Sequence, residues 1–320
     1  MMKANNSLEQ IMEWILSAET IALAGHTNPD GDAIGACLAL GGALEKSGKR
    51  VQVILEKYAD KYNLIPNGHL VCGAEEAEVP ELFLALDCGD TGRLGAAAAV
   101  FEKAARKIHI DHHESNSYFG QLNFVAATAS STSEIVFQLL KDRLPITAAE
   151  AAGLYAGLIY DTGGFRHSST SPETMKIAGE LMAYGIPFTD IYNRFFDARS
   201  FSELKLMGRA LENAELLFGG EVVCATITTA EIEALHGSNK ELDAIINYLK
   251  GVLGAKIACF FYEKTETDVK GSFRGNDGYD VCALAQKFGG GGHVKAAGCT
   301  IAAPIAEAKA MVLAEIEKML

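Results

Sequence analysis

Residues 20–56 read TIALAGHTNPDGDAIGACLALGGALEKSGKRVQVILE. The stretch opens on a short apolar run, 20–25, of the kind that forms a strand buried on both faces. A polar break, His26-Thr27-Asn28-Pro29-Asp30-Gly31-Asp32, follows at once. Residues 33–48 then carry an Ala/Leu-rich helical pattern, and 50–56 form a second apolar run. Strand, helix, strand in that order implies a parallel crossover. The alternation continues with runs at 82–87 and 107–112, a helix expected between them at 91–105, and a buried helix over 148–160 running into Asp161. The fold class expected is α/β, with an N-terminal, doubly wound, mainly parallel sheet.

The second half has a different texture. Strands are expected at 221–228, 255–264 and 269–274, and helices at 229–236, 240–252, 280–288 and 305–320. At roughly 150 residues per domain, 320 residues favour two domains. We expect a first domain over 1–185, a helical connector over 186–217, and a smaller α/β substrate-binding domain over 218–320, with the site in the cleft between them.

Twenty-eight basic residues against 41 acidic ones give a net charge of −13. A groove for long duplex nucleic acid needs dense Lys and Arg, so that partner is excluded; a short oligonucleotide needs only a few cations. Residues 1–19 read as an amphipathic helix, not a secretory leader, and no apolar run of about 18 residues is present for a membrane. Seven scattered cysteines without a Cys-x-x-Cys pair suit reduced, mostly buried thiols and a cytoplasmic protein.

Chemistry concentrates where buried elements end. His26, Asp30 and Asp32 follow the first strand; Asp87-Cys88-Gly89-Asp90 follows the third; Asp111-His112-His113 closes the fourth; Asp161-Thr162-Gly163-Gly164 ends a helix. In an open parallel sheet the carboxyl ends of strands share one edge, where ligands bind. Unit charges 4 Å apart repel by roughly 4 kcal/mol at an effective dielectric of 20. Clustered carboxylates therefore stay protonated or hold divalent cations. Oxygen and imidazole donors suit Mn²⁺, with Mg²⁺ or Co²⁺ as alternatives, and no thiolate cluster suggests structural zinc. Two cations about 3.5–4 Å apart recur in phosphate-ester hydrolysis. A lone Asp-Gly-Asp is usually a turn and a lone His-His usually structural, but four such segments are not four independent turns.

The C-terminal half adds Ser272-Phe273-Arg274 at a strand end, and Gly290, Gly291 and Gly292 before His293. Glycine amides can turn toward an anion, while Arg and His supply charge-assisted donors, so a phosphate clamp is expected there.

Asp111-His112-His113, with His26-x3-Asp30-x-Asp32, Asp87 and Asp161 in order, resembles the DHH phosphoesterases. The Gly-Gly-Gly-His segment and Ser272-x-Arg274 resemble the DHH-associated C-terminal domain. Length and spacing are most similar to bacterial nanoRNases that also act as 3′-phosphoadenosine 5′-phosphate (pAp) phosphatases. The resemblance implies one cation held by His26, Asp30 and Asp87, and another by Asp32, Asp87, His112 and Asp161. It implies that His113 contacts the scissile phosphate and that Asp111 fixes the histidine tautomer. Ser272, Arg274, His293 and the Gly290–Gly292 amides would take the substrate's 5′ phosphate. Arg93, Asn116, Arg166 and His167 fall beside the motifs as further substrate contacts, the last two equally as caps of local structure. A homodimer through the first domain is implied as well.

The expected activity is metal-dependent hydrolysis of short 5′-phosphorylated RNA and pAp. The alternatives are a phosphodiesterase for cyclic or linear dinucleotides and, from another class, a non-catalytic nucleotide-binding regulator. An inorganic pyrophosphatase is disfavoured by the nucleotide-type second domain.

Overall fold

The computed structural model describes residues 5–265, 267–276 and 278–320. It divides into two compact units, Met1–Ala198 and Arg199–Leu320. In the first unit the strands are β1 (Thr20–Ala24), β2 (Arg50–Ile54), β3 (Val71–Cys72), β4 (Leu82–Leu86), β5 (Arg106–Asp111) and β6 (Leu122–Val125). The helices are α1 (Leu8–Leu16), α2 (Gly31–Lys46), α3 (Ala98–Lys103), α4 (Thr132–Leu140), α5 (Ala148–Asp161), α6 (Pro172–Met182) and α7 (Phe188–Tyr192). Among the described residues the strands form one parallel sheet in the order β3-β2-β1-β4-β5-β6. The order reverses between β1 and β4, and the crevice at such a point is where an open α/β sheet binds ligands.

Close helix packing brings α5 to that crevice. Gly35 of α2 lies so near α5 that a Cβ there would sit 2.3 Å from the Gly153 carbonyl oxygen. One turn on, a Cβ at Gly157 would fall 2.6 Å from the Asp32 carboxylate and 2.0 Å from the Ser133 hydroxyl. Small residues at these positions let α5 carry Asp161 alongside Asp32.

The second unit holds β7 (Glu215–Leu217), β8 (Val222–Ile227), β9 (Ile257–Glu263), β10 (Val269–Gly275), β11 (Gly291–His293) and β12 (Ala296–Ile301). Its helices are α8 (Phe201–Glu212), α9 (Thr229–Ala234), α10 (Ile245–Lys250), α11 (Val281–Gln286) and α12 (Ile305–Glu317). The sheet runs β11-β12-β10-β9-β8-β7, antiparallel except for β8 with β9. Cys259, Phe261 and Phe273 pack on one face with Leu284 and Val312; Ala258 and Phe260 pack on the other with Leu206 and Ile246.

Several expectations change. The segment 186–217 is shared out: Ile186, Ile191 and Phe195 join the first core, whereas Leu206, Met207 and Ala210 of α8 join the second. Its apolar residues have a core to enter on each side, so it is no free-standing connector. The helix expected over 91–105 is a 3-10 turn, Thr91–Ala97, and then α3, because Gly95 breaks it with φ +52°. Strands β3, β6, β7, β11 and β12 and helix α4 were not expected. Of the helix expected over 1–19, α1 covers Leu8–Leu16; residues 1–4 lie outside the described residues. Cys37, Cys88, Cys224, Cys259 and Cys299 are buried free thiols, and no helix among the described residues is long and apolar enough to cross a membrane.

Candidate metal centre

Each donor is delivered by the end of an element. Asp30 caps α2, its Oδ1 accepting the Asp32 and Ala33 amides at 3.0 and 3.2 Å. Asp87, directly after β4, adopts φ +57°, a left-handed conformation that aspartate tolerates better than most residues. That turn directs a buried carboxylate into the crevice, where it meets both neighbouring histidines. Asp87 Oδ2 lies 3.6 Å from His26 Nε2, and Oδ1 lies 3.5 Å from His112 Nε2.

Two donor sets without a shared residue result. His26, Asp30 and Asp87 present ligand atoms within 4.8 Å of one another, and so do Asp32, His112 and Asp161, while a third group of Asp87, His112 and His113 overlaps both. His26 Nε2 is 3.6 Å from Asp30, and His112 Nε2 is 3.1 Å from Asp161. Ligands about 2.0–2.2 Å from a shared ion are separated by such distances. The His26 tautomer is set as well: Nδ1 meets the Thr27 carbonyl at 2.8 Å, so it carries the proton and Nε2 keeps its lone pair. Nitrogen and carboxylate donors, with no thiolate, fit divalent cations of the Mn²⁺ and Mg²⁺ type.

The electrostatics agree. Burial, then the charge of Asp161, pushes the Asp32 carboxyl up to about 7. Burial and the neighbouring Asp32 and Asp161 hold Asp87 well above the usual carboxylate range. Burial alone would lower His112, but the Asp161 hydrogen bond and the surrounding carboxylates raise it to about 10. Carboxylates that raise one another in this way are relieved when a cation is held among them, and the donor groups here could hold one.

His113 also comes close, its Nδ1 3.7 Å from Asp87 Oδ1. That nitrogen is occupied: it donates to Asp111 Oδ1 at 2.8 Å, where the His112 amide is also bound at 2.8 Å. His113 is therefore an oriented side chain beside the metal sets, 43% exposed, with Nε2 as its unengaged nitrogen among the described residues. Asn116, expected among the substrate contacts, is buried and donates to Asp111 Oδ2, so it holds Asp111. His167 caps the chain after α5, Nδ1 to the Asp161 carbonyl at 3.0 Å, and so serves the backbone of a ligand; Arg166 is exposed nearby. Arg93 is exposed, and its charge reaches His26.

Thr132 and Ser133 escaped the sequence reading. At the N-terminus of α4 their amides bind the two Asp32 oxygens at 2.6 and 2.9 Å, and Thr132 Oγ1 donates to Asp87 at 3.1 Å. The available signal was Ser131-x-x-Glu134, a helix-start pattern with Ser131 as the cap.

In the second unit Arg274 and His293 both pair with Ala296, from opposite sides. Cross-strand partners share a face, so the Arg274 and His293 side chains flank a small residue about 10 Å apart. Ser272 is on the same face two residues earlier. The glycine run is not the expected anion loop. Gly290 gives its amide to the Ala285 carbonyl at 2.9 Å, and Gly291–His293 is an edge strand. Gly292, at φ +146°, has no room for a Cβ, which would lie 2.5 Å from the Ala296 oxygen. Close strand approach explains Gly290, where a Cβ would lie 2.2 Å from the Gly298 oxygen, and Gly292, whereas Gly291 has open space beside it.

The DHH family, N-terminal domain, matches residues 20–158, and the DHHA1 domain matches 221–320. The chain is 32% identical over 295 residues to the bifunctional oligoribonuclease and PAP phosphatase NrnA of Thermus thermophilus, covering 88% of this chain and 84% of that one. It belongs to the DHH family. An exopolyphosphatase-related protein from Bacteroides fragilis superposes with a TM-score of 0.81 at 27% identity, covering 98% of this chain and 94% of that one. RecJ from Thermus thermophilus, solved in complex with Mn²⁺, shares the fold with a TM-score of 0.54 at 15% identity, over 97% of this chain and 54% of its own. This DHH-family chain is accordingly a hydrolytic phosphoesterase whose carboxylate and histidine groups can bind metal.

Proposed function

We propose that this DHH phosphoesterase uses two divalent cations, Mn²⁺ foremost, to hydrolyse short 5′-phosphorylated oligoribonucleotides and pAp in the cytoplasm. The observation that carries the reading is the Asp87 carboxylate, whose Oδ2 belongs to the donor set of His26 and Asp30 while its Oδ1 lies 3.5 Å from His112 of the other set. The substrate class is that named for the Thermus thermophilus relative. His26 and Asp30 with Asp87 Oδ2 would hold one cation; Asp32, His112 and Asp161 with Asp87 Oδ1 would hold the other. When bound, the pair supplies an acidified water and neutralises phosphoryl charge. Around it the protein positions and protonates. Asp111 takes the Nδ1–H of His113 and would stabilise its imidazolium form, whose Nε2–H donates to the scissile phosphate and the leaving oxygen. Arg93 adds positive charge beside His26. Arg274 and His293 take the 5′ phosphate.

A panel of pAp, a 5′-phosphorylated RNA dimer, a 24-mer, a cyclic dinucleotide and pyrophosphate tests this. With Mn²⁺, pAp and the dimer are cleaved fastest, and EDTA stops both. Release from the cyclic dinucleotide or pyrophosphate alone redirects the substrate assignment, and no release from any of them leaves a nucleotide-binding protein.

Arg274→Ala should raise KM for the 5′-phosphorylated dimer by about 10- to 100-fold, the worth of a hydrogen bond to a charged group at about 1.5–3 kcal/mol. The same dimer without its 5′ phosphate should respond little. Equal losses on both would make Arg274 a structural residue.

A further inference from the structure

A cavity of about 250 Å³ opens at the same carboxyl edge as the metal centre, between the chain after β1, β2 and β3 and the Thr91–Ala97 turn. His26 lines it, so the cavity and one donor set share a wall. Its floor is apolar, with Ile54, Leu55, Leu94 and Ala97 all buried. Drug-sized ligands occupy pockets of about 300–1,000 Å³, so this space suits a single heterocycle. Glu56 and Glu75 outnumber Lys57 around it, which disfavours a phosphate. Carboxylates accept hydrogen bonds and donate none, so the guest must present N–H groups. Glu56 is held in place: Oε2 accepts the Asn28 amide at 2.9 Å. Gly95 faces its other oxygen, where even a Cβ would approach to 3.1 Å.

We propose that this cavity is a nucleobase subsite for the nucleoside on the 3′ side of the scissile phosphate, with Glu56 selecting guanine over uracil. Guanine offers adjacent N–H donors from its ring and amino group to one carboxylate. Uracil flanks its single N–H with carbonyl oxygens, which repel a carboxylate. The inference rests on the phosphoesterase reading, in which Arg274 and His293 take the 5′ phosphate. It makes pAp an internal control, because pAp has no nucleoside beyond its 3′ phosphate and leaves the cavity empty.

The test compares kcat/KM for pApG, pApU and pAp in wild type, Glu56→Gln and Ala74→Leu, the last filling the cavity from its wall. Wild type should favour pApG over pApU by at least about 10-fold. Glu56→Gln should erase that preference, and Ala74→Leu should lower both dinucleotides by about 10-fold or more. Both variants should keep pAp within about twofold of wild type. Equal use of pApG and pApU by wild type, or losses that fall on pAp in parallel, overturn the subsite. Failure of wild type on all three overturns the phosphoesterase reading with it, and so is distinct from failure of the subsite alone.

Discussion

Asp87→Asn lowers turnover by more than about 10³-fold, beyond the cost of losing one electrostatic donor, and makes the metal-free protein more stable. Both effects come from the same carboxylate. Asp87 is buried and has one oxygen facing His26 and the other facing His112, so its loss would weaken both proposed cation sites together. In the metal-free state the same group is a liability, since burial, and then Asp32 and Asp161, raise its proton affinity far above normal. Asparagine keeps the shape, accepts the Thr132 hydroxyl and tolerates φ +57°, so the backbone has no reason to rearrange. With EDTA present the variant should melt several degrees higher, at about 2–4 °C per kcal/mol for a protein of this size. Steady-state kinetics, bound-metal analysis and thermal melts give the three readings. Near-normal turnover, or two cations still tightly bound, would remove Asp87 as the ligand shared by the two cations.

The residues that mark the centre could be recognised because each stands where a short apolar run stops. Such runs are strands, and parallel strands end on one edge, so His26, Asp87 and Asp111 converge whatever their separation in sequence. The support around them was not open to that argument. Thr132 and Ser133 act through backbone amides, which any residue supplies, and their hydroxyls belong to a run that reads as a loop. Asn116 resembles a surface polar residue until β5 and the following turn fold it beneath Asp111. In the glycine run the same composition serves an anion loop or a tight strand pair. Only the register of Gly291 with Gly298 and His293 with Ala296 decides for the pair. Strands β3 and β12 failed for opposite reasons: two residues carry no period, and Ala296–Ile301 has too little apolar bulk to signal burial.

Metal-free protein should lose stability steadily from pH 5 to pH 9, and added Mn²⁺ should reverse the trend. Asp32 titrates near 3.8 when unfolded and about 7 when folded, so its contribution is complete below the unfolded value and is lost as pH rises through about 7. His112 moves from 6.5 to about 10, and its contribution is lost at higher pH in the same direction. His26, also raised against the cost of its burial by Asp30 and the Thr27 carbonyl, adds to the trend. Asp30 and Asp111, held low by His26 and His113 against their burial, matter only in acid, outside this window. Cation binding needs these ligands deprotonated, so affinity grows as the metal-free protein weakens. At a free concentration 100 times Kd, binding adds about 2.7 kcal/mol. The melting-temperature difference between Mn²⁺ and EDTA should therefore be small at pH 5.5 and several degrees larger at pH 8.5, with a shallower slope in Asp87→Asn. A difference that does not change with pH, or a wild-type EDTA curve no steeper than that of the variant, would mean that the buried carboxylates are neutralised by something other than a bound cation.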